Sequence, residues 1–371
     1  LEPEWDFDGN LVLVTRLDGF DYDDARALAL RGVAADGAFA ALAGGLPCSG
    51  SPCGKSHAAP AFVAMAGRDM PRQIRDSEAR FALEHLAPGF CAEFVAPHEA
   101  GLAGRSLAAL FTGSDKLATH FPAQGDALGG NCFAPGAIAC NLTSNAAAPA
   151  NFFCDEDGDC PPFDDGQSSE LQSSVARLIR HGVTGAHATV AEPFSHTFPG
   201  AGTLLLYTFG YNFAESFFFT QPYLHWQNTY FGDPLATPYA ERPALTLGAT
   251  NLAPNERLEV SASHPQGIAR IRVYLDGIRR VDVACSGEPA CSIQLDVLGL
   301  ALVEHELLAV ATAQNALTER PGWPEPWQLP QPDVQGWTCG TLQIAAPARQ
   351  RASDSPPKAP KKSRKSIIAT A

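Results

Sequence analysis

The chain has 371 residues, 45% of them hydrophobic, and a formal net charge of −14 at pH 7. This length and apolar content are enough for two buried cores, and the acidity argues against nucleic acid as the main partner. No apolar run approaches the roughly 20 residues that a membrane-spanning helix needs, so no transmembrane segment is predicted.

Residues 1–242 alternate short apolar runs with stretches of helical periodicity, a pattern typical of a mostly parallel α/β sheet covered on both faces. Because the chain opens on Leu1 rather than Met, we expect this domain to be N-terminally incomplete. One helix is predicted to start near Asp21, and another lies between residues 67 and 90. Strands are predicted at residues 11–16, 61–66, 91–96, 107–111 and 136–142.

The second part of this domain carries the clearest helix signals. The dipeptide Ser168-Ser169 is a candidate N-cap for a helix that ends at Gly182, where glycine can adopt a left-handed conformation. A buried strand is predicted at residues 183–190. Asn212 and Glu215 are predicted to form the cap of a further helix. The aromatic residues of this helix are predicted to pack on the sheet.

The pattern changes at residue 243, where apolar and polar residues begin to alternate with period two. Residues 243–346 are therefore predicted to form a small immunoglobulin-like β-sandwich, with a hairpin turn at Asp276-Gly277. From Arg349 onward there are seven basic residues and one acidic residue. Residues 347–371 have little to bury and are predicted to form a basic disordered tail.

Cysteine spacing indicates the compartment. Six of the ten cysteines form three close pairs around polar loops: Cys48 with Cys53, Cys154 with Cys160, and Cys285 with Cys291. Such spacing is typical of short disulfide-clamped turns, and neither Cys-x-x-Cys nor His-x-x-x-His spacing is present to favour zinc. We therefore expect an extracellular or periplasmic location.

Four segments of the first domain carry a family resemblance. They are residues 11–18 with the LVTRLDG motif that starts at Leu13, residues 135–144 with GAIACNLTS, residues 182–193 with GVTGAHATVAEP, and residues 213–238 with GDPLATP. In this order they resemble an uncharacterised bacterial family with LVTRLDG, GAIA-x-x-LTS, GAT-x-x-x-x-TVxEP and GDPLxxP motifs. The α/β core of that family is remotely similar to gingipain and caspase-like cysteine peptidases, which implies a three-layer sheet of that kind.

The peptidase similarity implies a His-Gly at the end of one strand and a cysteine at the end of the next. Cys140 falls near the expected position of the nucleophile. The preceding strand ends at Thr112 without a histidine, and His120 is the nearest one along the chain. Cys140 is accordingly either a nucleophile served by His120 or His187, a buried thiol, or the disulfide partner of Cys132.

A second candidate site lies at the end of the strand predicted at 183–190. His187, Glu192 and His196 flank its carboxyl end, where open α/β sheets bind ligands, and they could form a site with Asp233, with or without a metal. The alternative interpretation is a core histidine followed by an ordinary loop.

A third candidate is a calcium-binding turn. Asp155, Asp157 and Asp159 occupy alternate positions, and Gly158 permits a bend. Gly166 stands where an EF-hand loop has its bidentate glutamate, so this is no EF-hand. The choice lies between a disulfide-flanked calcium turn and an unoccupied solvated loop.

Together these patterns predict a secreted or surface protein with a degenerate peptidase-like domain that is binding or structural rather than catalytic. The alternative is a cysteine-dependent hydrolase that uses Cys140. Calcium is the one candidate cofactor. A protein or cell-surface partner is expected through the β-sandwich.

Overall fold

The computed structural model describes residues 13–35, 61–65, 73, 75–86, 91–95, 106–112, 132–154, 174–192, 194–223, 227–314 and 334–345. Its first part contains six strands: β1 (Ala61–Met65), β2 (Cys91–Val95), β3 (Ser106–Thr112), β4 (Cys132–Asn141), β5 (Gly185–Thr189) and β6 (Asn228–Gly232). Its helices are α1 (Tyr22–Ala35), α2 (Asp76–Glu84), α3 (Val175–Arg180), α4 (Gly202–Thr208) and α5 (Phe213–Phe218).

The six strands form one sheet in the order β2-β1-β3-β4-β5-β6. All neighbouring pairs are parallel except β5 with β6, which is antiparallel. The prediction of a mostly parallel sheet in this part of the chain is therefore confirmed. β4 and β5 are parallel neighbours, and Cys140 is paired with His187.

Alternating residues of the strands feed two apolar cores, one on each face of the sheet. In β4, Ile138 and Cys140 join the core that α2, α4 and α5 cover, whereas Ala137 and Ala139 join the core beneath α1 and α3. Every residue of β3 is buried, as expected for a parallel strand with helices on both faces. The result is an α/β unit of three layers.

Local signals mostly place the helices correctly. Asn212 and Glu215 form the predicted capping box at the start of α5. Gly182 has φ +103° and lies just beyond α3. The cap of α3 differs from the prediction, because Ser174 accepts a hydrogen bond from the backbone N–H of Ala176 at 3.1 Å. Residues 155–173, which include the predicted serine caps, lie outside the described residues.

The predicted first strand is much reduced. Among the described residues 13–18, only Arg16 pairs with the sheet, through a parallel bridge to Phe231. Its backbone N–H donates to Tyr230 O at 2.7 Å, and its carbonyl accepts from Gly232 N at 2.9 Å. This segment therefore adds a one-residue bridge at the β6 edge of the six-stranded sheet.

Residues 244–314 and 334–344 form a two-sheet β-sandwich. One sheet has the order β11-β10-β13-β14-β8 and the other β12-β9-β7. The strands are β7 (Ala244–Leu247), β8 (Asn251–Leu252), β9 (Arg257–Ser263), β10 (Ile268–Leu275), β11 (Ile278–Ala284), β12 (Ala290–Asp296), β13 (Glu304–Ala313) and β14 (Gln335–Ile344).

The sandwich confirms two local predictions. Asp276 and Gly277 have positive φ angles of 51° and 75° between β10 and β11, as a two-residue hairpin turn requires. A disulfide joins Cys285, which directly follows β11, to Cys291, which lies in β12. The inward residues of both sheets, including Val260 and Ile271, form the core of the sandwich.

Most of the remaining sequence predictions concern residues that the structure does not describe. Cys154 is disulfide-bonded. The pair Cys48–Cys53, the calcium candidates Asp155, Asp157 and Asp159, His120 and the basic tail all lie outside the described residues. None of the helices in the described ranges combines the length and apolar character that crossing a membrane requires.

Candidate functional site

The site is centred on Cys140 of β4 and His187 of β5. These two residues are cross-strand partners, so their side chains leave the same face of the sheet. The thiol Sγ lies 3.2 Å from Nδ1 of the imidazole. Cys140 is a free thiol and is 2% exposed, and His187 is 0% exposed. The alternative of a Cys132–Cys140 disulfide is therefore wrong.

Asn228 at the start of β6 completes a hydrogen-bonded chain. Its Oδ1 lies 2.7 Å from Nε2 of His187, and its Nδ2 donates to the carbonyl oxygen of Thr197 at 3.1 Å. Since the amide NH₂ is engaged by Thr197, Oδ1 is the acceptor for a proton on Nε2. The network therefore assigns the Nε2–H tautomer, which leaves Nδ1 to accept a hydrogen bond from the thiol.

A second polar chain fixes the position of Asn228. Gln221 donates from Nε2 to the same Thr197 carbonyl, and its Oε1 accepts from the hydroxyl of Tyr230 at 2.5 Å. Tyr230 also packs against the imidazole, with ring centroids 5.3 Å apart. The imidazole is thus held by hydrogen bonds along its edge and by aromatic rings on its faces.

Burial keeps both groups of the pair neutral. Desolvation raises the pKa of the Cys140 thiol well above its ordinary 9.0, and the nearby Arg75 guanidinium only partly opposes this. Desolvation also lowers the pKa of His187 to about 4, against the opposing effect of the Asn228 hydrogen bond. Arg75 itself is held by Glu78 at 2.9 Å and by Phe198 O at 2.9 Å.

Both pKa shifts oppose proton transfer from Sγ to Nδ1. Burial raises the pKa of the thiol that would lose the proton and lowers the pKa of the imidazole that would gain it. The neutral thiol and the neutral imidazole, 3.2 Å apart, are therefore the stable pair.

Of the two histidines that the sequence offers as a base for Cys140, His187 lies beside the thiol, and His120 is outside the described residues. The peptidase similarity directs attention to the strand before the cysteine, β3, whereas the imidazole comes from the strand after it. The pairing of Cys140 with His187 depends on the register of two strands 47 residues apart, which the sequence does not specify. Asn228 gives no sequence signal beyond its position a few residues before the closing GDPLATP motif.

The predicted grouping of Asp233 with Glu192 and His196 is also corrected. Gly185 pairs with Gly232 and Thr189 with Asn228, so Asp233 lies at the amino end of β5. Glu192 and His196 follow its carboxyl end, about 13 Å away along the strand. Both are exposed, and His196 stacks on Phe194. Across the described ranges, no three His, Cys, Asp or Glu side chains are grouped to hold a metal.

Residues of the motifs that carry the family resemblance form hydrogen bonds between the neighbouring strands β4 and β5 or the segments next to them. The Thr189 hydroxyl lies 2.7 Å from the carbonyl oxygens of both Thr143 and Ser144. At the other end of the same strands, Gly136 N donates to Thr184 Oγ1 at 3.0 Å. A Cβ at Gly136 would lie 2.7 Å from Cβ of Pro238. These motif residues therefore have structural roles in the described fold.

Comparisons with known proteins give little further information. No family model and no curated protein matches the chain. Among solved structures, a Jonesia denitrificans lytic polysaccharide monooxygenase is 14% identical at a TM-score of 0.19, covering 26% of this chain and 58% of that one. Fibronectin(III)-like modules of Clostridium thermocellum CbhA are 13% identical at a TM-score of 0.18, covering 28% of this chain and 98% of theirs.

A beta-glucosidase from Listeria innocua is 12% identical at a TM-score of 0.21, and the match covers 77% of this chain but 46% of the glucosidase. The chain thus spans less than two thirds of both the monooxygenase and the glucosidase. At these TM-scores the similarities do not define a shared fold.

Proposed function

We propose that this chain is a secreted or surface-located binding protein whose α/β domain has a peptidase-like architecture without peptidase activity. The observation that carries the proposal is the burial of Cys140 and His187, which are 2% and 0% exposed. A cysteine nucleophile acts as its thiolate and has to be reached by substrate. Burial opposes both requirements here.

The architecture supports the peptidase-like part of the proposal. Five parallel strands lie between helices on both faces, and the antiparallel β6 ends at Gly232, the first residue of the closing Gly-Asp-Pro that the resemblance implies. The resemblance places the base at the end of the strand before the cysteine, β3. In this chain the imidazole belongs to β5 instead, so the catalytic arrangement of that family is not reproduced.

The sandwich supports a binding role, and the disulfides support a secreted or surface location. A small two-sheet sandwich of the immunoglobulin-like kind is a common binding and spacing module. The Cys285–Cys291 disulfide and the disulfide-bonded Cys154 favour an oxidising compartment, extracellular or periplasmic. On this proposal the sandwich, rather than the Cys140 site, contacts the partner.

The test is labelling of the native protein with iodoacetamide, followed by peptide mass mapping. Cys91 and Cys339 are exposed free thiols and serve as internal references. We expect Cys140 to react at least about 100-fold more slowly than either, because its thiol is buried and un-ionised. Rapid labelling of Cys140 that His187→Ala abolishes would overturn the proposal.

A second candidate function, a cysteine-dependent hydrolase, is favoured by one observation. The distances of 3.2 Å from Cys140 Sγ to His187 Nδ1 and 2.7 Å from His187 Nε2 to Asn228 Oδ1 match a nucleophile, a general base and an orienting amide. In that case His187 takes the thiol proton as sulfur attacks an acyl carbon, and returns it to the leaving group. Water, deprotonated by His187, then cleaves the thioester, and the proton returns to the sulfur. Hydrolysis of a fluorogenic peptide or ester library that is lost in Cys140→Ala would establish this function.

A further inference from the structure

The outward face of the five-stranded sheet combines basic and apolar side chains. Cross-strand pairing places Asp282, Arg272, Val310 and Trp337 in one row across β11, β10, β13 and β14. The adjacent row places together Arg279, Tyr274, Leu308 and Cys339. We call this surface the arginine face and define it by five residues: Arg270, Arg272, Arg279, Leu308 and Trp337.

A single carboxylate serves the three arginines of this face. Asp282 lies 2.9 Å from Arg270 Nη1, 3.0 Å from Arg279 Nη1 and 3.8 Å from Arg272 Nε. One carboxylate offers about four acceptor positions, whereas three guanidinium groups bring about fifteen N–H donors. The cluster is therefore cationic and retains donors for a further anion, in a chain whose net charge is −14.

Large apolar side chains lie next to the cluster. Trp337 is 51% exposed and Leu308 is 37% exposed. Arg242 lies 4.6 Å from the centroid of the indole ring and adds a fourth cation at this border. An exposed aromatic side chain beside arginines is the composition that is enriched in protein interfaces.

Protection of a sheet edge does not account for the arginine face. Charged residues on an edge strand prevent pairing with other chains, and this explains Arg279 on β11. Arg270 and Arg272 belong to β10, and Leu308 belongs to β13, and both strands have partners on either side. Charges and apolar groups in the middle of a sheet have no such protective role.

We propose that the arginine face binds an extended acidic polypeptide segment, an inference that rests on the proposed binding function and names the partner class. Arg270 and Arg272 are two residues apart on one strand, so their side chains repeat at about 7 Å. Alternate side chains of an extended peptide have the same repeat, so a segment lying along β10 presents a carboxylate to each arginine. Arginine and carboxylate pair by two parallel hydrogen bonds. Apolar residues of the segment then contact Leu308 and Trp337.

The experiment measures fluorescence anisotropy of a labelled Glu-Thr-Glu-Thr-Leu peptide, whose alternate side chains are two glutamates and a leucine, titrated with the full chain. The double variant Arg270→Glu, Arg272→Glu is expected to weaken binding about 100-fold, because it places like charges opposite the peptide. Arg257→Glu is the matched control. It reverses the charge of an exposed arginine on β9, in the other sheet, and is expected to change affinity less than about twofold.

Two further variants test the apolar contact and the charge contribution separately. Trp337→Ala is expected to weaken binding about tenfold without a change of charge. The milder Arg270→Gln, Arg272→Gln variant, checked for an unchanged melting temperature, tests the proposal if charge reversal impairs folding. It is expected to weaken binding at least about tenfold.

Three outcomes would overturn the proposal: no binding by the parent chain, equal loss in the Arg257→Glu control, or binding of an oligogalacturonate in place of the peptide. The proposed function fails by a different result, namely Cys140-dependent hydrolysis, which leaves the anisotropy data unaffected. Absence of peptide binding together with an unreactive Cys140 would remove the acidic-segment inference alone.

Discussion

Replacing His187 tests the neutral, buried state of the candidate site through the pH dependence of stability. The unfolded imidazole titrates near 6.5, whereas burial lowers the pKa of folded His187 to about 4. Below pH 6.5 the unfolded chain therefore binds a proton that the folded chain excludes. Stability from this group is fully present above pH 6.5 and is lost as the pH falls toward 4.

The magnitude follows from the two pKa values. At pH 5.5 most of the unfolded imidazoles are protonated but few of the folded ones are, so His187 lowers the free energy of unfolding by about 1 kcal/mol relative to pH 8. Measurement at pH 5.5 also stays above the sequence pI of about 5.1, where the protein would carry no net charge. Below pH 4 the loss approaches about 3 kcal/mol.

The assay is urea unfolding at pH 5.5 and pH 8, followed by circular dichroism, for the parent and for His187→Leu. Other titrating groups are common to both proteins, so the stability lost by the parent on going to pH 5.5 should exceed that lost by the variant by about 1 kcal/mol. Phe217→Leu is the control. Its ring lies 6.1 Å from the imidazole, and its loss lowers stability without removing a proton site. Equal pH dependence in the parent and His187→Leu would refute the reasoning.

Three further predictions concern parts of the fold outside the site. Gly136→Ala should destabilise the chain by at least about 1 kcal/mol in urea unfolding, because Gly136 has φ +84° and an added Cβ meets Pro238; an unchanged midpoint would contradict this. Asn212→Ala should cost about 1 kcal/mol by loss of the capping box, and a loss below about 0.3 kcal/mol would contradict it. The hydrogen bond to Asp276 raises the pKa of His305, so stability lost in His305→Gln should be greatest below pH 6.5 and decline as the pH rises above it; melting curves at pH 5.5 and 8.5 check the sign.

Much of the fold is predictable from the sequence because its signals are local. Asn212 with Glu215 predicts the start of a helix, Gly182 predicts the end of another, and Asp276-Gly277 predicts a hairpin, and each needs only a few neighbouring residues. The alternation of apolar and polar residues from 243 onward is equally local. The first strand was predicted over six residues, but the described part keeps only the pairing of Arg16, because an edge segment has one neighbour to pair with.

The candidate site is less predictable because its parts come from three strands that are distant in sequence. Cys140, His187 and Asn228 meet only when β4, β5 and β6 are in their observed registers, and a shift of one residue would turn a side chain to the opposite face. The same registers separate Asp233 from Glu192, which composition and proximity to strand ends suggested as a pair. Site geometry is thus a property of the assembled sheet rather than of any segment.

The positions of the site within the resembling motifs bear on its role. In GAIA-x-x-LTS and GAT-x-x-x-x-TVxEP, Cys140 and His187 fall on unspecified positions, whereas the specified Thr189 and Gly136 join neighbouring strands. The resemblance therefore implies the sheet and does not imply the Cys140–His187 pair. Because the pair is also neutral and enclosed, a role in core packing accounts for it without chemistry. On the proposed binding function, recognition belongs to a surface such as the arginine face, where charged and aromatic groups are exposed rather than buried.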